Sequence, residues 1–343
     1  MSQLNVDIIS GYTTDLVEIK GRVAEGINTI ASGVNGSHAE GQLTTASGDS
    51  SHSEGVLTTA LGQVSHAEGY LTIANEYSHS EGYATTASGG KSHAEGRSTI
   101  SSGDMSHAEG SGTTANGIYS HAEGKGSVTY GIAAHAEGWN TNASGAYAAH
   151  AEGFSTTASG YIGSHAEGFS TTASGNYGAH AEGSYTKSTD TASHAEGSYT
   201  TANGSGSHSE GNYTLAQGIA SHSEGSSTFA YGYAAHVEGM YSTANGDYTH
   251  VGGFASIGNG LASFIHSYNS IVTGDRSVVL GGQSITGSTA DTVYVPNFVI
   301  KKVSAVPTSS ADTIGENGSI TWDNTHFYWK ANGQWLRIAG STF

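Results

Sequence analysis

The chain has 343 residues, of which 51 are glycine, two are proline and none is cysteine. Only 12% of the residues are charged and the net charge is −18, so we expect neither nucleic acid nor an anionic membrane as a partner. The lack of cysteine excludes disulfides and thiolate metal sites, and the scarcity of large apolar side chains excludes a thick globular core.

The first 21 residues precede any regular pattern, and we predict that they form an N-terminal cap or attachment segment. The start, MSQLNVDIISGY, has no basic stretch followed by a long apolar run, so we expect no signal peptide. No stretch approaches 18 consecutive apolar residues, so no membrane-spanning helix is predicted.

Residues 22–288 are a repeat array. Its unit reads Ser-His-Ala-Glu-Gly, two variable residues, Thr-Thr-Ala-Ser-Gly and a variable turn. His-x-Glu-Gly occurs fifteen times, and successive histidines lie 13 to 15 residues apart, usually 14. Each half of the unit alternates like a β-strand and ends at a glycine that permits a tight turn. This alternation places Ser and Ala on one face and His and Glu on the other.

Two short strands and two turns predict one coil of a parallel β-roll or solenoid, whose narrow interior accepts only small residues such as Ala and Ser. We count about nineteen 14-residue coils, from Val23 to Val278. At a strand spacing of about 4.8 Å they form a rod on the order of 85 Å long.

The ends of the array indicate where the His and Glu positions point. Val23 takes the His position near the start, and Phe264 and Val278 take it near the end, where Leu280 takes the Glu position. Because these positions accept apolar side chains and the coil interior is too narrow for them, we predict that they face other copies of the chain in a homotrimer. The predicted trimer interface comprises Val23, His66, Glu68, His93, Glu95, His121, Glu123, His165, Glu167, His194, Glu196, His222, Glu224, Phe264, Val278 and Leu280.

The fifteen His–Glu pairs allow several kinds of chemistry. An active site is a single constellation, so fifteen equivalent copies argue against catalysis, and we expect no enzyme. We favour a ladder of His–Glu hydrogen bonds between chains, because each buried Glu needs donors. Those bonds would depress the Glu pKa, so we expect the rod to dissociate in acid.

A metal ladder is the alternative. A divalent metal on the trimer axis could use imidazole and carboxylate ligands, and no other cofactor is expected. The candidate ligands are His38, Glu40, His52, Glu54, His135, Glu137, His150 and Glu152.

Tyrosines concentrate in the variable turns of the array, and they have two interpretations. Tyr with Ser, Gly and Asn is typical of adaptable binding surfaces, including surfaces that bind sugars. We favour the other interpretation, in which tyrosines of successive coils stack on one another.

Residues 289–343 differ in composition, since they hold both prolines and three of the four tryptophans. TVYVPNFVIKKV predicts an edge strand, because proline interrupts strand pairing. GSITWDNTHFYWKANGQWLRIAG predicts three short strands joined by Asp-Asn and Asn-Gly turns. We therefore predict a small antiparallel β module at this end of the chain.

The array resembles a known family. SVVLGG at 277–282 and the 14-residue period resemble the head domains of trimeric autotransporter adhesins, in which three left-handed parallel β-rolls surround an axis. The array departs from that family by placing His and Glu at most of the aliphatic positions. The SHAEG…TTASG repeats, VYVPN and GQWLRIAGSTF also resemble bacteriophage tail-fibre and virion proteins.

The resemblance implies an all-β, homotrimeric structural protein of a phage tail fibre or virion appendage that contacts the host cell surface. Its implied partners are itself, other virion proteins and a host surface glycan or protein, and its implied location is the virion, outside the cell when functional. We recognise no coiled-coil stalk or anchor barrel, and therefore place a bacterial surface adhesin fragment second. A metal-binding structural solenoid is the third candidate.

Overall fold

The computed structural model describes residues 21–297, 306–314 and 316–339, which belong to two compact units that divide between Tyr294 and Val295. The predicted N-terminal segment lies outside the described residues except for Gly21, and the predicted edge strand TVYVPNFVIKKV lies partly outside them. All regular structure in the described part is β-strand. None of the described segments forms a helix long and apolar enough to cross a membrane.

The first unit is the predicted parallel β-solenoid. Each coil has a first strand that begins at the His position, usually five residues long, and a second strand of only two residues. The first strands are Val23–Ile27, His38–Gln42, His52–Val56, His66–Tyr70, His79–Tyr83, His93–Arg97, His107–Ser111, His121–Lys125, His135–Trp139, His150–Phe154, His165–Phe169, His180–Ser184, His194–Ser198, His208–Asn212, His222–Ser223, His236–Val237, His250–Phe254, Phe264–Tyr268, Val278–Gln283 and Val293–Tyr294. The second strands are Ile30–Ala31, Thr45–Ala46, Thr59–Ala60, Ile73–Ala74, Thr86–Ala87, Ile100–Ser101, Thr114–Ala115, Val128–Thr129, Asn142–Ala143, Thr157–Ala158, Thr172–Ala173, Lys187–Ser188, Thr201–Ala202, Leu215–Ala216, Phe229–Ala230, Thr243–Ala244, Ile257–Gly258, Ile271–Val272 and Thr286–Gly287.

Successive coils pair in parallel with the repeat unit in register. His38 lies opposite His52, Glu40 opposite Glu54, and Gly41 opposite Gly55. The prediction of about nineteen coils is confirmed. Val293–Tyr294 add one further pairing onto Val278–Val279, so the first unit extends to Tyr294, past the predicted array end at 288.

Small residues fill the solenoid, as the pattern predicted. From the second coil onward, Ala39, Ala46 and their equivalents are fully buried, together with the Ser and Thr beside them, whereas Ala24 of the first coil is exposed. The core changes near the C-terminal end, where Val251 and other branched residues replace Ala. In that coil Gly258 stands at the second-strand position, and an added Cβ there would lie 2.6 Å from Val251 Cγ2 and 2.5 Å from Thr249 Cγ2. A larger residue on one strand is thus matched by a smaller one on the other.

The glycines that end the second half of each repeat, such as Gly48, serve coil stacking, whereas Gly41, which ends a first half, has a left-handed backbone (φ 112°). Gly48, in the second half, has no left-handed backbone, but an added Cβ would overlap the carbonyl oxygen of Gly62 in the next coil. The left-handed positions of the turns are mostly taken by other residues, such as Leu43 (φ 57°) and Tyr77 (φ 56°). The expectation that Gly48 and its equivalents permit a tight turn is therefore wrong, because close packing of coils is what requires them.

The second unit contains the predicted three-stranded antiparallel sheet, with strands Ile320–Trp322, His326–Ala331 and Gln334–Ala339. The Asp-Asn turn is held by Asp323, whose carboxylate accepts hydrogen bonds from the Thr325 and His326 amides and from the Tyr328 hydroxyl. The Asn-Gly turn joins the last two strands, where Asn332 has a left-handed backbone (φ 50°).

Candidate functional site

The histidine–glutamate face is the outer side of the first strands, formed by the His and Glu positions of all coils. Ser37 and Ala39 point inward and are fully buried, whereas the side chains of His38 and Glu40 are 34% and 42% exposed. The predicted division of the two strand faces is confirmed. Parallel register then aligns all His positions in one column and all Glu positions in another.

The histidines form a continuous stack. From His38 to His236 the centroids of adjacent rings lie 4.6 to 5.1 Å apart, with planes within 26° of parallel. At the C-terminal end His250 packs against Phe264 with centroids 4.9 Å apart, so an aromatic apolar residue continues the column. We did not predict this stacking from the sequence. The regular repeat could have indicated it, because in-register parallel pairing places identical side chains on one another.

The His–Glu pairs form within one chain. In twelve coils His Nε2 lies 3.5 to 4.0 Å from a carboxylate oxygen of the Glu two residues later, for example 3.7 Å in His38–Glu40. These separations suit ion pairs but exceed the 2.7–3.2 Å typical of hydrogen bonds. His250 and Glu238 approach to 3.4 Å and do meet hydrogen-bond geometry.

The pairing changes along the array. His222 lies 3.6 Å from Glu210 of the preceding coil, and His236 lies 3.5 Å from Glu224 in the same manner. His66 lies within ion-pair distance of carboxylates in two coils, at 3.9 Å from Glu54 and 3.5 Å from its own Glu68. The two columns thus form a continuous network rather than separate pairs.

The Nε2 atoms of the fifteen His-x-Glu-Gly histidines lack hydrogen-bond partners among the described residues. Each of these atoms is buried. An unsatisfied buried polar atom costs roughly 1–3 kcal/mol, and native proteins leave few of them. These fifteen Nε2 atoms are therefore available for hydrogen bonds with another molecule.

Burial and like charges shift the pKa values along both columns. Burial is the main cause that lowers the pKa of eight histidines, and a neighbouring histidine adds to it in each case. These histidines are His66, His79, His107, His135, His150, His180, His194 and His222.

The carboxyl groups do not all follow the prediction. Burial, followed by contacts with Glu54 and Glu81, raises the pKa of Glu68 to about 7. Burial also raises the pKa of Glu95 and Glu123. The pKa of Glu54, by contrast, is lowered, chiefly by a hydrogen bond with Glu68. The expectation of depressed Glu pKa values is wrong for the other three, because burial and repulsion between stacked carboxylates outweigh the attraction of the histidines.

All sixteen predicted interface residues and all eight predicted metal ligands lie on this face. The apolar members continue the columns at their ends, where Val23 pairs with His38 and Leu280 pairs with His266. Beside the Glu column runs a groove of about 570 Å³, lined by the Glu and Gly positions of the coils from Glu25 to Gly69. A similar groove of about 520 Å³ runs from Glu196 to Gly239. Because the glycine column has no side chains, these grooves leave room for side chains of another molecule.

Several His–Glu–His groups bring three ligand atoms within 4.8 Å of one another. Zinc binds such atoms at about 2.0–2.2 Å, so two ligands of one ion lie no more than about 4.4 Å apart. Stacked parallel rings direct their nitrogen lone pairs side by side, so metal binding requires neighbouring rings to tilt. Of the predicted metal ligands, His135 belongs to one of these groups. The groups include His66/Glu68/His79, His93/Glu95/His107, His107/Glu109/His121, His121/Glu123/His135 and His194/Glu196/His208.

The predicted stacking of aromatic side chains is confirmed for some pairs of successive coils, whereas others, such as Tyr147 and Tyr161, meet edge to face at 5.7 Å. Tyr185, Tyr199 and Tyr213 have ring centroids 4.8 and 4.7 Å apart, with planes within 12° of parallel. Phe154 and Phe169 stack in the same way at 5.1 Å. Rings stacked in this manner turn their edges to solvent, so they do not offer the flat faces on which sugars pack.

Comparison with known proteins identifies no relative: no protein-family model matches this chain, and no curated protein matches it at a significant level.

Proposed function

We propose that three copies of this chain assemble through the histidine–glutamate face and form the shaft of a virion appendage, such as a phage tail fibre, that contacts a host cell surface. The observation that carries this proposal is the set of fifteen buried Nε2 atoms without partners. A neighbouring chain that presses each Glu about 1 Å closer to its His would convert these contacts into charge-assisted hydrogen bonds.

Two further features support assembly through this face. Val23, Phe264 and Val278 occupy the His position at the ends of the array, and apolar side chains favour a surface that is covered. The grooves beside the Glu column can receive side chains of a neighbouring copy. Each chain would then complete the face of the next.

A structural role fits the regularity of the array. A catalytic site needs unlike groups brought together at one place, whereas this face repeats one pair of residues fifteen times. We therefore propose a protein without enzymatic activity, whose partners are its own copies, other virion proteins and a glycan or protein of the host surface. The SHAEG and VYVPN resemblances favour the virion over a bacterial surface.

Light scattering of the full chain during gel filtration tests the assembly. The proposal predicts a particle with three times the mass of one chain at micromolar concentration. A stable, well-folded monomer would contradict it. Antibody labelling of intact virions, viewed by electron microscopy, tests the location, and an unlabelled appendage would contradict that part.

A metal-binding solenoid is the second candidate, favoured by the His–Glu–His groups whose ligand atoms cluster within 4.8 Å. It predicts that the protein purified without chelator retains zinc, nickel or cobalt in a fixed ratio to the chain, and that chelation lowers its thermal midpoint. Metal content near zero together with a midpoint unaffected by added zinc would exclude it.

A further inference from the structure

The C-terminal unit contains a concave cavity of about 310 Å³ that the proposed function does not use. One wall is the loop 307–310, and the other is formed by Tyr328, Trp335 and Arg337 of the last two strands. The residues Tyr328 and Trp335 are 8% and 6% exposed. The cavity thus combines two aromatic rings, one guanidinium group and several hydroxyl groups.

The walls of the cavity are held together by hydrogen bonds between the loop and the sheet. The Trp335 amide donates to the Ser310 carbonyl at 2.8 Å, and the Trp335 indole donates to the Ile314 carbonyl at 2.9 Å. Lys330 Nζ donates to the carbonyls of Asp312 and Ile314 at 3.0 and 3.1 Å. These bonds fasten the loop to the sheet, so the cavity is formed before any ligand arrives.

The free polar groups of the cavity indicate its ligand. Arg337 is exposed, interacts with the Tyr328 hydroxyl, and forms no ion pair with a carboxylate in the part of the chain that the structure describes. The hydroxyl groups of Ser309 and Ser310 likewise form no hydrogen bond among the described residues, whereas the Tyr328 hydroxyl is already bonded to Asp323. Among the described residues no acidic side chain lines the cavity, although the chain as a whole carries a charge of −18.

We propose that this cavity binds one carboxylate-bearing sugar unit, such as a hexuronic or sialic acid residue. A guanidinium group recognises a carboxylate through two parallel hydrogen bonds. The aromatic walls pack against the sugar ring, and the serine hydroxyls bond its hydroxyl groups. A volume of about 310 Å³ lies at the lower end of ligand cavities and suits a single ring. The chemistry of the ligand is inferred from the cavity. That the sugar comes from a host surface rests on the proposed function.

Calorimetric titration of the full chain with glucuronate, N-acetylneuraminate, glucose and acetate tests the site. We expect at least one of the two acidic sugars to bind at least tenfold more tightly than glucose or acetate. Arg337→Gln should remove this preference, and Ser309→Asp should do the same by placing a negative charge at the rim. Arg97→Gln, which changes an arginine of the solenoid, is the matched control and should leave binding unchanged.

Several results would overturn the site. In the wild-type chain, these are no binding of either acidic sugar, equal affinity for glucose and the acidic sugars, or equal affinity for acetate and the acidic sugars. In the variants, the result is unchanged affinity in a folded Arg337→Gln or Ser309→Asp protein. The two variants are independent, so a folding defect in one leaves the other as the test. A monomeric chain that binds glucuronate would overturn the proposed assembly and leave this site, whereas a trimer that binds neither acidic sugar would overturn the site alone.

Discussion

An imidazole inside the histidine column, such as His66, lies between two other imidazoles at about 4.8 Å, with carboxylates beside it. Protonation of one ring therefore places a positive charge against its neighbours, and burial adds to the cost. His-x-Glu in the sequence shows only the carboxylate two residues away. The His–His and Glu–Glu neighbours come from residues about 14 positions apart, so the sequence predicted the pairs but not the direction of the Glu shifts.

The lowered His pKa values predict loss of stability in weak acid. The folded chain binds protons at these histidines less readily than the unfolded chain, so the free energy of unfolding falls as pH drops below the ordinary value of 6.5. The raised Glu pKa values act in the opposite direction, but they involve three groups against eight histidines. We expect the thermal midpoint to fall between pH 6.5 and 5, as followed by circular dichroism.

A variant with fewer histidines provides the control for this pH dependence. Replacing His135 and His150 by Val and Glu137 and Glu152 by Ile removes two histidines with lowered pKa values. The variant should lose less of its thermal midpoint over the same range and should still assemble at pH 7.5. An identical pH profile in both proteins would show that the histidines do not determine the acid response.

Replacement by Gln should have opposite effects on the thermal midpoint at Glu68 and at Glu54. Because the pKa of Glu68 is raised to about 7, its charged form is disfavoured in the folded chain, so Glu68→Gln should raise the thermal midpoint at pH 8 and change it little at pH 5. The pKa of Glu54 is lowered, so Glu54→Gln should lower the midpoint at pH 8. Shifts of the same sign in the two variants would contradict this assignment.

At the scale of the coil, two short strands and two turns follow from the alternation and the small residues, and the sequence predicted them. The sequence did not predict which turn residues have a left-handed backbone, because Leu43, Tyr77 and similar residues rarely adopt that conformation. Closure of each coil onto the next imposes those angles, and the compensation between Val251 and Gly258 depends equally on contacts across a coil.

Substitutions at Gly48 and Gly90 can test the effect of close packing alone, because neither glycine has a left-handed backbone that a larger residue would strain. An added Cβ at Gly48 would overlap the backbone of the next coil, whereas at Gly90 its nearest neighbour would be Asp104 Oδ1 at 3.5 Å. Gly48→Ala should therefore lower the free energy of unfolding by about 3 kcal/mol or more, and Gly90→Ala should change it little. Chemical denaturation measures both, and equal losses would contradict the role given to coil packing.

The coil that contains Val251 offers a rescue experiment. Gly258→Ala should destabilise the chain by about 1–3 kcal/mol, because the new methyl group meets the methyl groups of Thr249 and Val251. Adding Thr249→Ser and Val251→Ala converts the coil to the common Ser/Ala/Ala pattern and should recover at least half of the loss. A triple variant less stable than Gly258→Ala alone would show that the size of residue 258 is not coupled to the sizes of residues 249 and 251.

At the scale of the whole molecule, the change in composition after the array predicted a second unit, and the three strands within it were predicted from their turns. We expect a chain that ends at Tyr294 to keep the β-sheet signal of the solenoid in circular dichroism. Its tryptophan fluorescence should come from Trp139 alone, since Trp322, Trp329 and Trp335 are removed. Loss of the cooperative thermal transition in this shorter chain would contradict independent folding of the two units.

The in-register stacking of coils also bears on how such a protein changes in evolution. His150–Gly160 and His165–Gly175 have identical sequences, and each column of side chains continues from one to the other. Recombination between two such stretches adds or removes one rung of about 4.8 Å and leaves every other column aligned. The length of the solenoid can therefore change in steps of one repeat. Duplication or loss of a repeat lengthens or shortens it without changing the fold.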